Sequence, residues 1–203
     1  MAGLTAGVTR SVGVAAVFLL AVVHTVAATP LNIVALGASN TAGWGVGPQN
    51  AYPAKLEALL RARGFDAHVA NAGISFSTTN GMLHRLDEVV PVGTSIVILQ
   101  PSDNDVRFFG SKEQRIRNIE AIVARMRVRH IRTIVFENAV VPAGNYQWDG
   151  IHFTAKGHDM LAEYLLKKIV GAPPGEQPAG EESTAEHKDV SQPEPAVGRS
   201  AAQ

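Results

Sequence analysis

The chain has 203 residues and a formal net charge of zero, and this length suggests one domain with appendages rather than two domains. It contains no cysteine, which excludes disulfide bonds, thiolate nucleophiles and cysteine-ligated metal. The balance of charge does not match that of a nucleic-acid-binding protein.

The amino-terminal segment has the three-part pattern of a secretory signal. Arg10 precedes an uncharged apolar run from Val12 to Val23, and small residues follow as far as Pro30. We therefore expect residues 1–28 to be a signal peptide cleaved near Ala28, and the protein to be exported to the periplasm or secreted. A membrane anchor is the alternative, but the run is shorter than the roughly 20 residues that a spanning helix needs. No stable membrane span is expected after cleavage.

The folded domain is predicted to occupy residues 29–170. Residues 171–203 are rich in Pro, Gly, Glu and Ala and show no apolar periodicity, so they are expected to form a disordered tail. The tail carries six acidic residues against Lys188 and Arg199, which leaves the domain mildly basic. That small excess is still far from a nucleic-acid-binding profile.

Within this domain, apolar strands alternate with amphipathic segments of helical period. The predicted strands are 31–36, 67–70, 94–99 and 133–137. Predicted helices begin at Tyr52, run through Met82 to Val90, span about 112–130, and follow Thr154. The alternation predicts an α/β fold, with a parallel sheet covered by helices on both faces.

The longest predicted helix has a strongly basic outer face. Such a face can be a patch for anionic surfaces or simply a solvated helix face, and the second explanation is favoured because charge runs on helices usually serve solubility. The residues concerned are Arg107, Arg115, Arg117, Arg125, Arg127, Arg129 and Arg132.

Ser39 lies where the first strand ends at a glycine, at the sheet edge where open α/β sheets bind their ligands. Taken alone, it is better explained as part of a strand-to-helix turn. Downstream, Gly73, Asn104, Asp149 and His152 also follow strands or precede the last helix, so the topology brings them to the same edge.

These residues suggest nucleophilic catalysis. His152 can accept the Ser39 proton, and Asp149, three residues earlier, can orient the imidazole. The N–H groups of Ser39 and Gly73 and the side-chain amide of Asn104 can then donate to an oxyanion.

Two nearby groups have competing interpretations. Asp103 and Asp105 flank Asn104 and can be a cation site, but two acidic residues fall short of the six or more oxygens that calcium prefers. His158 is expected at the surface, in the first turn of the last helix.

The combined pattern resembles the SGNH or GDSL family of serine esterases and lipases, particularly its compact bacterial members of the thioesterase and lysophospholipase type. The resemblance runs from about residue 31 to 170. Its blocks are Leu36-Gly37-Ala38-Ser39-Asn40, Asn71-Ala72-Gly73-Ile74-Ser75, Ser102-Asp103-Asn104-Asp105 and Asp149-Gly150-Ile151-His152.

The resemblance implies Ser39 as nucleophile, an Asp149–His152 pair, and Gly73 and Asn104 as oxyanion donors. It also implies a three-layer α/β/α sandwich with a flavodoxin-like parallel sheet, and no metal or cofactor. Two positions depart from the pattern: Ala38 replaces the aspartate of Gly-Asp-Ser-Leu, and Ser102 stands where a glycine is usual.

The expected function is therefore that of an exported serine hydrolase that cleaves esters or thioesters through an acyl-enzyme on Ser39. The alternatives are a polysaccharide O-deacetylase of the same family and a catalytically weak module that binds lipid or polymer in the cell envelope. Expected substrates are small acyl esters, thioesters or acetylated glycans. Because the 138–148 connection is too short for a lid, we expect an open groove bordered by Trp44, Phe76, Phe108 and Trp148.

Overall fold

The computed structural model describes residues 30–171, so the expected signal peptide and nearly all of the expected tail lie outside the described residues. Within this range a four-stranded parallel sheet has the order β2-β1-β3-β4. The strands are β1 (Leu31–Gly37), β2 (Ala67–Gly73), β3 (Ile96–Leu99) and β4 (Arg132–Val135). This order, in which the chain reverses direction across the sheet beside β1, is that of a doubly wound, flavodoxin-like fold.

Six α-helices connect and follow the strands in the described residues. They are α1 (Ser39–Ala42), α2 (Tyr52–Ala62), α3 (Thr79–His84), α4 (Leu86–Val89), α5 (Lys112–Val128) and α6 (Ala155–Val170). None of the helices between residues 30 and 171 is long and apolar enough to cross a membrane.

The central strand β1 is buried on both faces. Alternate residues of a strand point to opposite faces, so Ile33 and Ala35 pack with residues of α2 and α6, whereas Val34 and Leu36 pack with residues of α3, α4 and α5. The two clusters form two separate apolar cores on either side of one sheet. The predicted three-layer sandwich is therefore confirmed.

The helix predicted through Met82 to Val90 is in fact two short helices, α3 and α4, separated at Arg85. The Arg85 guanidinium lies at the carboxyl ends of β1 and β2 and donates to the carbonyl oxygens of Ala72 (2.7 Å) and Gly37 (3.0 Å). Arg85 thus links the ends of β1 and β2, and the helix is interrupted at the residue that does so.

Most of the basic side chains on and beside α5 have protein partners. Arg115 pairs with Glu137 (2.6 Å), Arg125 pairs with Asp87 (3.5 Å), and Arg129 donates to the carbonyl of Val90 (2.6 Å). Arg132 donates to carbonyls in the last turn of α6, and Arg117 donates to Gln114. These contacts favour the structural explanation of the basic face over an anion-binding patch.

Candidate active site

Ser39 is placed by a sharp turn from β1 into α1. A Cβ atom at Gly37 would lie 2.0 Å from Thr41 Oγ1, so only glycine allows the turn to close this tightly. The backbone then enters α1 at Ser39, whose N–H belongs to the first turn and has no intrahelical acceptor. The turn therefore presents both the hydroxyl and the N–H of Ser39 at the carboxyl edge of the sheet.

Ser39, His152 and Asp149 form one hydrogen-bonded chain. Ser39 Oγ lies 2.9 Å from His152 Nε2, and His152 Nδ1 lies 2.6 Å from Asp149 Oδ2. The three side chains come from the end of β1 and from the loop before α6, which are 110 residues or more apart in sequence. The geometry is that of a base between a hydroxyl and an orienting carboxylate.

The Asp149 carboxylate is held in its ionised form. Its pKa is lowered from 3.8 to about 2, chiefly by the hydrogen bond from the His152 N–H, then by the His152 side chain and the Ile151 N–H. Both N–H groups donate to Oδ1, at 3.0 and 2.9 Å, which leaves Oδ2 for the imidazole. A carboxylate that stays charged at neutral pH can stabilise a protonated imidazole beside it.

Asn104 lines the same groove as Ser39 and His152. Its Nδ2 donates one hydrogen to the Ser77 carbonyl (3.1 Å), which orients the amide and leaves its second hydrogen for another acceptor. Ser102, which replaces the glycine usual at this place, accepts the Asn104 N–H on its Oγ (2.9 Å). Arg115 Nε in turn donates to the Ser102 carbonyl (2.9 Å), so the loop that carries Asn104 is braced.

The expected oxyanion donor Gly73 lies where the end of β2 packs against α1. Its N–H donates to Asn71 Oδ1 (3.0 Å), and it is not among the residues that line the groove. A Cβ atom at this position would lie 2.2 Å from the Ala42 N atom, so glycine is needed for α1 to pack against the end of β2. The structure therefore does not support Gly73 as an oxyanion donor, and explains this glycine by close packing instead.

Phe76 offers a backbone N–H at the groove that the sequence pattern did not reveal. It lines the groove, its backbone is left-handed with φ of 64°, and its N–H has no acceptor within residues 30–171. Left-handed backbone at a bulky residue is costly and often marks a functional site. A non-glycine residue gives no signal for such a backbone in the sequence.

The groove beside Ser39 is mainly apolar. Trp44, Phe76 and Phe108 line it as expected, whereas Trp148 does not line it and is 97% exposed to solvent. The cavity has a volume of about 130 Å³.

The residues with competing interpretations, Asp103, Asp105 and His158, have structural partners. Asp105 is buried and accepts from Thr79 N (2.8 Å) and Thr79 Oγ1 (2.5 Å), while Asp103 lies 3.8 Å from Arg115. No group of three or more His, Asp or Glu side chains suited to a metal ion occurs in the described part of the chain. The expectation that His158 lies at the surface is wrong: the residue is fully buried, and its Nδ1 accepts the N–H of Tyr52 at the start of α2 (3.2 Å).

Ala38, which replaces the usual aspartate, is itself buried among the apolar residues below the turn. Support for the turn comes instead from Arg85, which binds the Gly37 carbonyl, and from Thr41, which bonds Gln100 Oε1 (2.5 Å).

The profile of the GDSL-like lipase/acylhydrolase family matches residues 35–165, which include every residue of the site. The chain belongs to this family. As an SGNH hydrolase, it is an esterase-type enzyme, which confirms the resemblance seen in the sequence. A comparison with curated proteins finds no match.

Several solved structures share the SGNH fold. The esterase EstA from Pseudoalteromonas sp. has a TM-score of 0.60 at 17% identity, covering 68% of this chain and 96% of its own. TesA has a TM-score of 0.60 at 19% identity, covering 68% of this chain and 98% of its own. The acetyl xylan esterase AlAXEase has a TM-score of 0.59 at 13% identity, and the match covers 69% of this chain and 100% of AlAXEase. At these identities the likeness shows the fold alone.

Proposed function

We propose that this SGNH hydrolase cleaves carboxylic esters through an acyl-enzyme on Ser39. The observation that carries the proposal is the chain of contacts from Ser39 Oγ to His152 Nε2 (2.9 Å) and from His152 Nδ1 to Asp149 Oδ2 (2.6 Å). A serine hydroxyl needs such a base to become an effective nucleophile.

In the first half-reaction, Ser39 Oγ attacks the carbonyl carbon while its proton passes to His152 Nε2. Asp149 holds the imidazole through Nδ1 and stabilises its positive charge. The bond to the leaving alcohol, or to the thiol of a thioester, then breaks as His152 returns the proton to the leaving group. In the second half-reaction, water gives a proton to His152 and attacks the acyl carbon, and the carboxylic acid is released as Ser39 regains its proton.

The oxyanion is stabilised by three donors in this proposal: the N–H of Ser39, the side-chain amide of Asn104 and the N–H of Phe76. The first two are expected from the sequence, and Phe76 takes the place of Gly73. Donors that are already fixed before the reaction, as Asn104 is by Ser77 and Ser102, lose little energy in reorganising.

Short acyl groups are the proposed substrates. The cavity of about 130 Å³ is smaller than the 300–1,000 Å³ that is typical of sites for drug-sized ligands. Its walls of Trp44, Phe76 and Phe108 suit a small apolar acyl chain. Deacetylation of a polysaccharide fits the same groove, and AlAXEase, named as an acetyl xylan esterase, shares the fold.

Export to the periplasm or medium is also proposed, from the signal-like pattern of residues 1–28. Expression of the full chain in a bacterium, followed by fractionation and amino-terminal sequencing, tests it. A mature amino terminus near residue 29 outside the cytoplasm is expected, and an intact Met1 in the cytoplasm would contradict export.

The catalytic proposal is tested by comparing the wild-type chain with Ser39→Ala on p-nitrophenyl esters from acetate to octanoate. The wild type is expected to hydrolyse the short esters fastest and to be labelled by a fluorophosphonate, and Ser39→Ala to do neither. Equal rates for both proteins, without labelling, would support a binding module instead. Release of acetate from acetylated xylan, with the same variant as control, separates a deacetylase from a general esterase.

A further inference from the structure

Asn40, the residue directly after the proposed nucleophile, is almost fully buried, with 4% of its surface exposed. Its side-chain amide does not cap α1 but crosses to the loop that carries His152. Oδ1 accepts the N–H of Phe153 (2.9 Å), and Nδ2 donates to the carbonyl of Ile151 (3.1 Å). The amide thus binds the main chain on both sides of His152.

With these two contacts, every main-chain N–H and carbonyl group of residues 151–153 has a hydrogen-bond partner. The N–H groups of Ile151 and His152 donate to Asp149, and the carbonyls of His152 and Phe153 accept from Gln147. Asp149 and Gln147 belong to the same loop as His152, so their bonds shape the loop but do not place it relative to Ser39. The remaining groups, the Ile151 carbonyl and the Phe153 N–H, are the two that Asn40 satisfies.

Asn40 therefore connects the turn that carries Ser39 directly to the loop that carries His152. Ser39 and Asn40 are neighbours in one turn. The hydrogen bonds that hold Asn40 against residues 151 and 153 therefore also hold Ser39 Oγ at a fixed distance from His152 Nε2. A second tie, from Gln147 Nε2 to the Trp44 carbonyl (3.0 Å), is solvent exposed and lies farther along the chain from Ser39. Exposed hydrogen bonds hold less firmly than buried ones because water competes for their partners.

We propose that Asn40 is a positioning residue, which holds His152 at reacting distance from Ser39 through the peptide groups of Ile151 and Phe153. The inference rests on the proposed function of Ser39 and His152. The Gly-Asp-Ser-Leu pattern has a leucine at this place, and a leucine would leave the buried Phe153 N–H and the partly buried Ile151 carbonyl without a partner. Displacing a reacting group by about 1 Å can lower a rate by about 100-fold.

The test is a graded series at Asn40. Asn40→Leu keeps the approximate volume and removes both bonds, and is expected to lower kcat by about 10-fold to 100-fold, with KM changed by less than about twofold. Asn40→Asp keeps the acceptor for the Phe153 N–H and loses the donor to Ile151, so it is expected to fall between Asn40→Leu and the wild type. The rate of Ser39 labelling by a fluorophosphonate is expected to follow the same order.

Thr94→Val is the matched control, because it removes a partly buried hydrogen bond from the side chain of a buried residue to a main-chain carbonyl, from Thr94 Oγ1 to Pro91 (2.8 Å), near the opposite end of the sheet. All proteins are compared at temperatures where circular dichroism shows them folded. A kcat of Asn40→Leu within about threefold of the wild type, or an equal loss in Thr94→Val, would overturn the inference while the proposed function stands. Failure of the wild type itself to hydrolyse esters or to be labelled would overturn the proposed function, and the inference with it.

Discussion

The indole of Trp44 stacks on the imidazole of His152, with ring centroids 5.5 Å apart and planes inclined by 29°. Trp44 is itself fixed to the nucleophile turn, since its backbone N–H donates to the Ser39 carbonyl (3.0 Å). The electron-rich face of an indole attracts a cation. The stack is therefore suited to stabilise the imidazolium that forms when Ser39 attacks.

Replacing Trp44 by leucine is expected to lower kcat by about 2-fold to 5-fold, corresponding to the 0.5–1 kcal/mol of an exposed cation–π contact. Trp44→Phe should retain part of the stabilisation of the imidazolium, because a phenyl ring keeps a smaller π-face. Steady-state kinetics with p-nitrophenyl acetate measure kcat and KM. An unchanged kcat with a raised KM in Trp44→Leu would mean that Trp44 is only a wall of the groove.

Asp149→Asn is expected to reduce kcat by about 10³-fold to 10⁴-fold, since an amide offers the His152 Nδ1 the wrong hydrogen-bonding partner and carries no charge. The pKa of Asp149 is lowered to about 2, so the carboxylate is ionised well below neutral pH. Loss of wild-type activity in mild acid, above about pH 3, should therefore not come from protonation of Asp149. Asp66→Asn, at an exposed residue whose side chain has no role in the site, is the control for the loss of a carboxylate.

Much of the fold and half of the site follow from patterns that are local in sequence. The buried strand ending at Gly37, the Asp149-x-x-His152 spacing and the alternation of strands and helices are each contained within a few residues. Parallel topology then brings Ser39, Asn104 and His152 to one edge. These predictions depend on periodicity and chain order, which a sequence carries directly.

Apart from the left-handed backbone of Phe76, the features that the sequence did not reveal depend on contacts between distant segments. Asn40 binds residues 151 and 153 across the site, and buried His158 accepts the N–H of Tyr52 in α2. Gly73 was a candidate donor because glycine permits close approach, and the approach is made by the α1 backbone. A glycine in the sequence indicates that some neighbour approaches closely, but it does not identify that neighbour.

The proposal that Phe76, in place of Gly73, is the backbone donor leads to a prediction at Phe76. Phe76→Gly keeps the N–H and relieves a left-handed backbone that costs a non-glycine residue about 1 kcal/mol or more. Activity toward the acetyl ester is expected to stay within about threefold of the wild type, with a small gain in thermal stability. For longer esters, KM should rise because the aromatic wall is lost.

Variants at the end of β2 provide the control for this prediction. Asn71→Ala frees the Gly73 N–H and is expected to leave kcat unchanged, whereas a clear increase in kcat would identify Gly73 as a donor after all. Gly73→Ala is expected to lower the melting temperature strongly, because its Cβ would lie 2.2 Å from the Ala42 N atom and push α1 away from the sheet.

Buried His158 should make the protein sensitive to mild acid. Burial, followed by the positive charge of Lys55, lowers its pKa from 6.5 to about 4. The unfolded chain therefore binds a proton at a higher pH than the folded one, and the free energy of unfolding should fall as pH decreases from about 6.5 to about 4, by up to roughly 3 kcal/mol. His158→Asn can still accept the Tyr52 N–H but does not titrate there, so this part of the pH dependence should disappear. Urea denaturation at pH 7, 5.5 and 4.5 measures the effect, and His84→Asn, at an exposed histidine, should retain the wild-type slope; an equal slope in His158→Asn would contradict the assignment to His158.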